Sequence, residues 1–89
     1  MGSNIEVVRV QTGIRIEKRI LKVLKALAEY QDISVGDLLE GIVLHAFEGK
    51  PPSSMETLEK ISQLKSIYQL DLDADASHQL VEGRARRHK

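Results

Sequence analysis

The stretch that decides the expected fold reads Val8-Arg-Val-Gln-Thr-Gly-Ile-Arg-Ile16. Apolar residues alternate in it with polar residues or glycine, which is the pattern of a half-buried β-strand. The buried face would carry Val8, Val10, Thr12, Ile14 and Ile16, and the outer face Arg9, Gln11, Gly13 and Arg15. Because no convincing second strand follows, the backbone groups of this strand would lack a partner within the chain. We therefore expect it to pair antiparallel with a second copy of the chain about a two-fold axis.

Two amphipathic helical patterns follow this segment. The first covers about residues 17–31, with apolar residues at helical spacing and basic residues on the polar face. Ser34 then stands three positions before Asp37, a capping-box-like arrangement that predicts a helix start. The second helix should carry an apolar stripe from Val35 to Phe47 and end at Gly49, before two prolines.

The rest of the chain has a weaker pattern. Ser53 or Ser54 can cap a third helix that extends to about Tyr68, although residues 67–72 also alternate and leave a short strand open. Asp73 or Asp75 would cap a last helical segment that ends near residue 83. We divide the chain into a domain of residues 5–50, a helical extension of residues 51–83 and a flexible basic tail of residues 84–89.

Composition excludes several functional classes. The chain has 89 residues, 42% of them hydrophobic and 29% charged, which indicates one small globular domain that oligomerisation would help to stabilise. There is no cysteine, so disulfides, thiolate metal sites and cysteine nucleophiles are ruled out. No apolar run is long enough for a membrane span. We expect a cytoplasmic protein with no membrane association and no cofactor.

Charge is balanced overall but unevenly distributed. The formal net charge is zero, yet the stretch from Arg9 to Lys25 holds six basic residues against Glu17 alone. Residues 51–80 are acidic, and the last six residues are basic again. A local basic face can contact phosphates even in a neutral protein, although lysines on a helix also form an ordinary solvated face.

In order and spacing, these features resemble the ribbon-helix-helix (Arc/MetJ-like) DNA-binding family. The likeness covers about residues 8–47 and rests on the alternating segment, the first helix and the motif Ile33-Ser-Val-Gly-Asp37. It implies a mostly α fold with one N-terminal β-strand, in which two chains intertwine as a homodimer through an antiparallel two-stranded ribbon. The C-terminal helical extension would be an addition to that fold.

The resemblance also implies which residues contact DNA. The ribbon would enter the major groove, and its outward residues Gln11, Gly13 and Arg15 would contact bases. Gly13 has no side chain and cannot read a base directly, so either the glycines let the ribbon enter the groove more deeply or specificity rests on Gln11 and Arg15 alone. The second helix would hold a phosphate at its N terminus, a role that its free N–H groups and positive dipole end also favour. The expected phosphate contacts are Arg9, Lys18, Arg19, Lys22, Ser34, Val35 and Gly36.

Other motifs are weaker. Asp71, Asp73, Asp75 and Glu82 match positions 1, 3, 5 and 12 of an EF-hand loop, but Ala76 replaces the required glycine. We therefore interpret this stretch as helix capping and a solvated acidic segment. The three histidines have no metal-ligand spacing, and no nucleophile motif occurs. We expect neither a metal site nor catalytic residues, and thus no enzyme.

Two functions are open at this point. The first is a sequence-specific transcriptional regulator, such as a repressor, that binds double-stranded DNA as a homodimer, with higher oligomers on repeated sites. The second is an antitoxin-type interaction module that binds a partner protein through residues 51–89. Antitoxins of this family also bind DNA, so the two functions can coexist.

Overall fold

The computed structural model describes residues 4–83, and all regular structure in this range is helical. Three α-helices follow one another: α1 (Lys18–Gln31), α2 (Val35–Phe47) and α3 (Met55–Ile67). A single 3-10 turn, Ala74–Ala76, lies after them. The bounds of the three α-helices agree closely with those predicted from apolar spacing. The short strand considered for residues 67–72 is absent, and the last helical segment is only this 3-10 turn.

The predicted N-terminal strand is wrong for this structure. Residues 4–17, which we call the extended segment, have no regular secondary structure, and no β-strand or sheet occurs within residues 4–83. No backbone–backbone hydrogen bond involves residues 4–16. The side chains expected on a buried face are exposed instead, with Val8 at 93%, Val10 at 79% and Ile14 at 71%. Alternation specifies which side chains share a face, but a strand also needs a neighbour for its backbone groups, and none is present within residues 4–83.

The ribbon-helix-helix architecture is therefore overturned, together with its intertwined dimer and intermolecular ribbon. That fold requires a strand, whereas the described chain has three α-helices and no sheet. The mostly helical part of the expectation agrees with the structure.

Local sequence explains where each helix begins. The side chain of Glu17 accepts a hydrogen bond from the Ile20 N–H at the start of α1. Ser34 Oγ accepts from the Asp37 N–H at 3.0 Å, and Ser54 Oγ accepts from the Thr57 N–H at 3.2 Å. These side chains satisfy amides that the first turn leaves without a partner.

All three α-helices end in the same way. A residue with positive φ follows each helix within two positions: Asp32 at 61°, Gly49 at 67° and Gln69 at 56°. The next N–H in the chain then reaches back five residues, as Lys50 does to the His45 carbonyl at 2.9 Å. This is the Schellman arrangement, which satisfies carbonyls at a helix C terminus and reverses the chain.

The core lies where α1 packs against both α2 and α3. Leu27, Ala28 and Leu38 form its buried centre, with exposed fractions of 4%, 2% and 8%. Half-buried apolar residues surround them: Leu24, Val35, Ile42, Ile61 and Leu64. Lys60 also lies over the ring of Tyr30, 4.6 Å from its centroid, and ties α3 to α1.

This core is small for the length of the chain. The radius of gyration is 15.2 Å, against about 12 Å for a compact domain of this length. Large apolar side chains such as Leu44, Phe47 and Ile67 are more than half exposed. The described residues thus expose more apolar surface than is usual for a stable monomer.

Candidate nucleic-acid interface

Three lysines form an exposed stripe on α1. Lys18, Lys22 and Lys25 are spaced four and three residues apart, so they lie on one face of the helix, opposite the buried Leu27. We call this set the lysine stripe. At 1.5 Å per residue it extends for about 10 Å along the helix axis. None of the ion pairs formed within residues 4–83 involves a lysine of the stripe.

Arg19 lies beside the lysine stripe on α1, and its guanidinium is hydrogen-bonded to other residues of the chain. Its Nε donates to Glu17 at 2.9 Å, and its Nη1 donates to Asp71 Oδ1 at 2.9 Å and to the Gln69 carbonyl at 3.1 Å. The hydrogen bond with Glu17 is the main cause that raises the pKa of Arg19. Burial alone would raise the pKa of Glu17, but the hydrogen bonds from Ile20 and Arg19 outweigh it and the pKa is lowered.

The two arginines of the extended segment are also held by carboxylates. Arg9 donates two hydrogen bonds to Glu40 of α2, at 2.8 Å and 2.7 Å, and Arg15 binds Glu82 through Nε and Nη2. Both pairs are at the surface, with side-chain exposures of 65% and 45% for the first pair and 82% and 67% for the second. They fix the extended segment against α2 at one point and against the C-terminal part of the chain at another.

The predicted base-contacting residues are exposed but are not assembled on a ribbon. Gln11, Gly13 and Arg15 all lie in the extended segment. No described atom lies within 4 Å of the position that a Cβ would take at Gly13, so the backbone there is open to an approaching molecule. The proposed insertion of a β-ribbon into the major groove is lost with the strand, while these residues remain candidates as parts of a single extended segment.

The N terminus of α2 offers two free backbone donors. Within the described residues the N–H groups of Val35 and Gly36 have no acceptor, because Ser34 binds the amide of Asp37 and its carbonyl binds that of Leu38. The nearest atom to a Cβ at Gly36 would be Ser34 Oγ, at 3.9 Å, so an anion could approach closely. The carboxylate of Asp37 lies in the same turn and opposes such an anion.

The acidic partners of the arginines were missed by sequence reasoning. Glu40, Asp71 and Glu82 are 31, 52 and 67 residues from the arginines that they bind. No local spacing links residues so far apart, and only the opposite charges of the two regions hinted at their association. The predicted capping role of Asp73 is confirmed for the 3-10 turn that follows it, since its Oδ1 accepts a hydrogen bond from the Asp75 N–H at 3.1 Å.

Within residues 4–83, no three or more His, Asp or Glu side chains are grouped so that they could hold a metal ion. No described helix combines the length and the apolar character needed to cross a membrane. The basic tail, residues 84–89, lies outside the described residues.

Comparison with protein families, with curated proteins and with solved structures yields no match.

Proposed function

We propose that the protein is a transcriptional regulator that binds double-stranded DNA through α1, the N terminus of α2 and the extended segment before α1. The observation that carries this proposal is the lysine stripe. Residues 18–25 hold four cations and no acid, and three of those cations have no ion-pair partner among the described residues. Exposed, unpaired lysines at this density favour a polyanionic partner.

The three regions would have different tasks on DNA. The lysine stripe and Arg19 contact phosphates, and the free amides of Val35 and Gly36, with Ser34 beside them, hold one more. The extended segment supplies Gln11 and Arg15 to base edges, while Gly13 between them lets the backbone come close. Arginine suits guanine and glutamine suits adenine, so sequence preference would reside in these two side chains. Arg9 adds a further phosphate contact.

We also propose that the protein acts as a homodimer, with α2 as the contact surface. Eight of the thirteen residues of α2 are apolar, and a helix of this kind is normally covered on more than one side. Its inner face packs on α1, whereas Val43, Leu44 and Phe47 are exposed at 42%, 63% and 79%. A dimer would cover them, and Phe47→Glu should shift the protein to monomer in sedimentation experiments.

A charge-matched pair of variants tests the DNA-binding proposal. One protein carries glutamine in place of Lys22 and Lys25 of the stripe, and its control carries glutamine in place of Lys50 and Lys65. Both lose two positive charges, but only the first changes the proposed surface. We expect the first variant to lose most of its affinity for a short mixed-sequence duplex in fluorescence anisotropy titrations, and its salt dependence to become flatter. Equal losses in both variants, or no binding by the parent protein, would contradict the proposal.

An antitoxin-type role for residues 51–89 is the second candidate. The observation that favours it is the exposure of apolar side chains along α3, where Met55, Leu58 and Ile67 are exposed at 79%, 49% and 68%. The inner face packs on α1 through Ile61 and Leu64, so a partner would bind to a helix that is already folded. Rapid proteolysis of this region in the free protein would favour folding upon a partner, and resistance would favour an integral regulator.

A further inference from the structure

The segment after α3 folds back over the start of α1 and holds the arginines that the proposed function needs. We call residues 69–83 the strap. At its first end, the Gln69 carbonyl and the Asp71 carboxylate accept hydrogen bonds from Arg19 at 3.1 Å and 2.9 Å. At its other end, Glu82 accepts two hydrogen bonds from Arg15. Two separate contacts therefore place strap oxygens on arginines near the beginning of α1.

Apolar contacts hold the strap in this position. Leu70, Leu72 and Ala76 are half-buried and border a depression that Ile20, Val23 and Ile61 also line. Farther along, Leu80 lines a groove of about 880 Å³ that Ile14 and Ile16 also line. The first half of the strap is thus packed, whereas residues 80–83 are exposed and depend on Glu82 for their attachment.

The carboxylate of Glu82 binds Arg15 in the way that a phosphate of DNA would bind it. A carboxylate with two oxygens on the fork of an arginine occupies the donors that would otherwise bind a phosphate or the edge of guanine. DNA cannot use the Arg15 fork while Glu82 is bound to it. Asp73 and Asp75, on the same strap, bind no arginine among the described residues, so the acidic character of the strap is separable from its two arginine contacts.

We propose that the strap is an autoinhibitory element that competes with DNA for Arg15 and Arg19. This inference rests on the proposed DNA-binding function and adds a means of control: release of the strap raises affinity for DNA. Because the competing ion pairs are exposed and individually weak, the autoinhibition is weak and a polyanion readily overcomes it.

Two double variants with the same change in charge test the proposal. Asp71→Asn with Glu82→Gln removes the two carboxylates on arginines, and Asp73→Asn with Asp75→Asn removes two that are elsewhere on the strap. We expect the first pair to bind a short mixed-sequence duplex about two- to tenfold more tightly than the second pair. Equal affinity of the two variants would overturn the competition, since a general charge effect would then explain any gain.

A distance measurement reports on the strap without relying on affinity. The chain has no cysteine, so Glu29→Cys and Val81→Cys allow two spin labels to be placed at exposed positions. The distance distribution should be narrow in the parent background and should broaden in the Asp71/Glu82 variant or on addition of duplex. An unchanged distribution when duplex is bound would overturn the strap mechanism but leave DNA binding intact. Absence of duplex binding by every protein would instead overturn the proposed function, and the competition with it.

Discussion

The guanidinium of Arg9 binds the carboxylate of Glu40, 31 residues further along the chain, through two hydrogen bonds of 2.8 Å and 2.7 Å. This pairing attaches an extended segment with no backbone partner of its own to the outer face of α2. It also lowers the pKa of Glu40, chiefly through the hydrogen bonds from Arg9. The position of the segment therefore depends on the ionised carboxylate of Glu40, which becomes protonated in acid.

We expect the Arg9–Glu40 pair to stabilise the fold only at pH values where Glu40 is ionised. A lowered carboxyl pKa contributes stability above the usual glutamate range, and that contribution is lost as the pH falls through the lowered pKa. Urea unfolding midpoints measured from neutral to acid pH should therefore differ between the parent and Glu40→Gln at neutral pH and converge in acid. Glu59→Gln is the control, because Glu59 binds no arginine among the described residues. A difference that stays constant across this range would refute the assignment.

Leu27 should be the side chain whose truncation is most damaging. It is 4% exposed at the centre of the core, between α1 and α2. Leu27→Ala removes buried methyl groups and leaves a cavity, so we expect a loss of about 2–5 kcal/mol in the free energy of unfolding, measured by urea denaturation. Val8→Ala, at a position that is 93% exposed and outside the proposed dimer surface, is the control and should change it little. Similar losses at both positions would show that the core is placed elsewhere.

The helix ends predict effects of opposite sign at Gly49 and Gln69. Both residues adopt positive φ at a helix C terminus, a conformation that glycine tolerates and side chains disfavour. Gly49→Ala should destabilise the protein by about 1 kcal/mol, and Gln69→Gly should stabilise it by about 0.5–1 kcal/mol. Thermal unfolding of the two variants checks this. A change of the same sign in both would contradict the left-handed conformation at one of them.

Ser34 should matter both for folding and for DNA. Its Oγ caps α2, and the free amides proposed to hold a phosphate follow it directly. Ser34→Ala should destabilise the protein by about 1 kcal/mol, and Ser54→Ala, which removes the equivalent cap of α3, should do the same. Only Ser34→Ala should also weaken duplex binding in anisotropy titrations. If both variants bind duplex like the parent protein, the N terminus of α2 does not contact DNA.

Arg15 should affect sequence preference and not merely affinity. If its fork reads guanine, Arg15→Ala will remove about 1–3 kcal/mol of discrimination between the preferred duplex and a mismatched one. The measurement is selection from a random duplex pool, followed by titrations with the selected and altered sequences. Arg15→Lys keeps the charge but loses the bidentate geometry, so it should restore affinity more than discrimination. A uniform loss on all sequences would assign Arg15 to phosphate contact.

The helices were predictable because their signals are local. Apolar spacing, together with Ser34, Ser54 and Gly49, gave helix bounds that the structure confirms almost to the residue. The arrangement of the candidate site was not predictable in this way. Gln11, Arg15 and the lysine stripe could be named from the sequence as candidate contacts, but Glu40, Glu82 and Asp71, which bind Arg9, Arg15 and Arg19, come from distant parts of the chain.

By itself, the sequence determined where α1, α2 and α3 begin and end and which of their faces are apolar, because helix hydrogen bonds, caps and side-chain spacing all act within a few residues. The strand that it predicted for residues 8–16 is not present in the structure. Only the tertiary structure decided that this segment has no strand beside it and that acidic groups of α2 and the strap hold its arginines. Strand pairing and ion pairing join residues far apart in the chain, so they depend on how the folded helices bring those residues together.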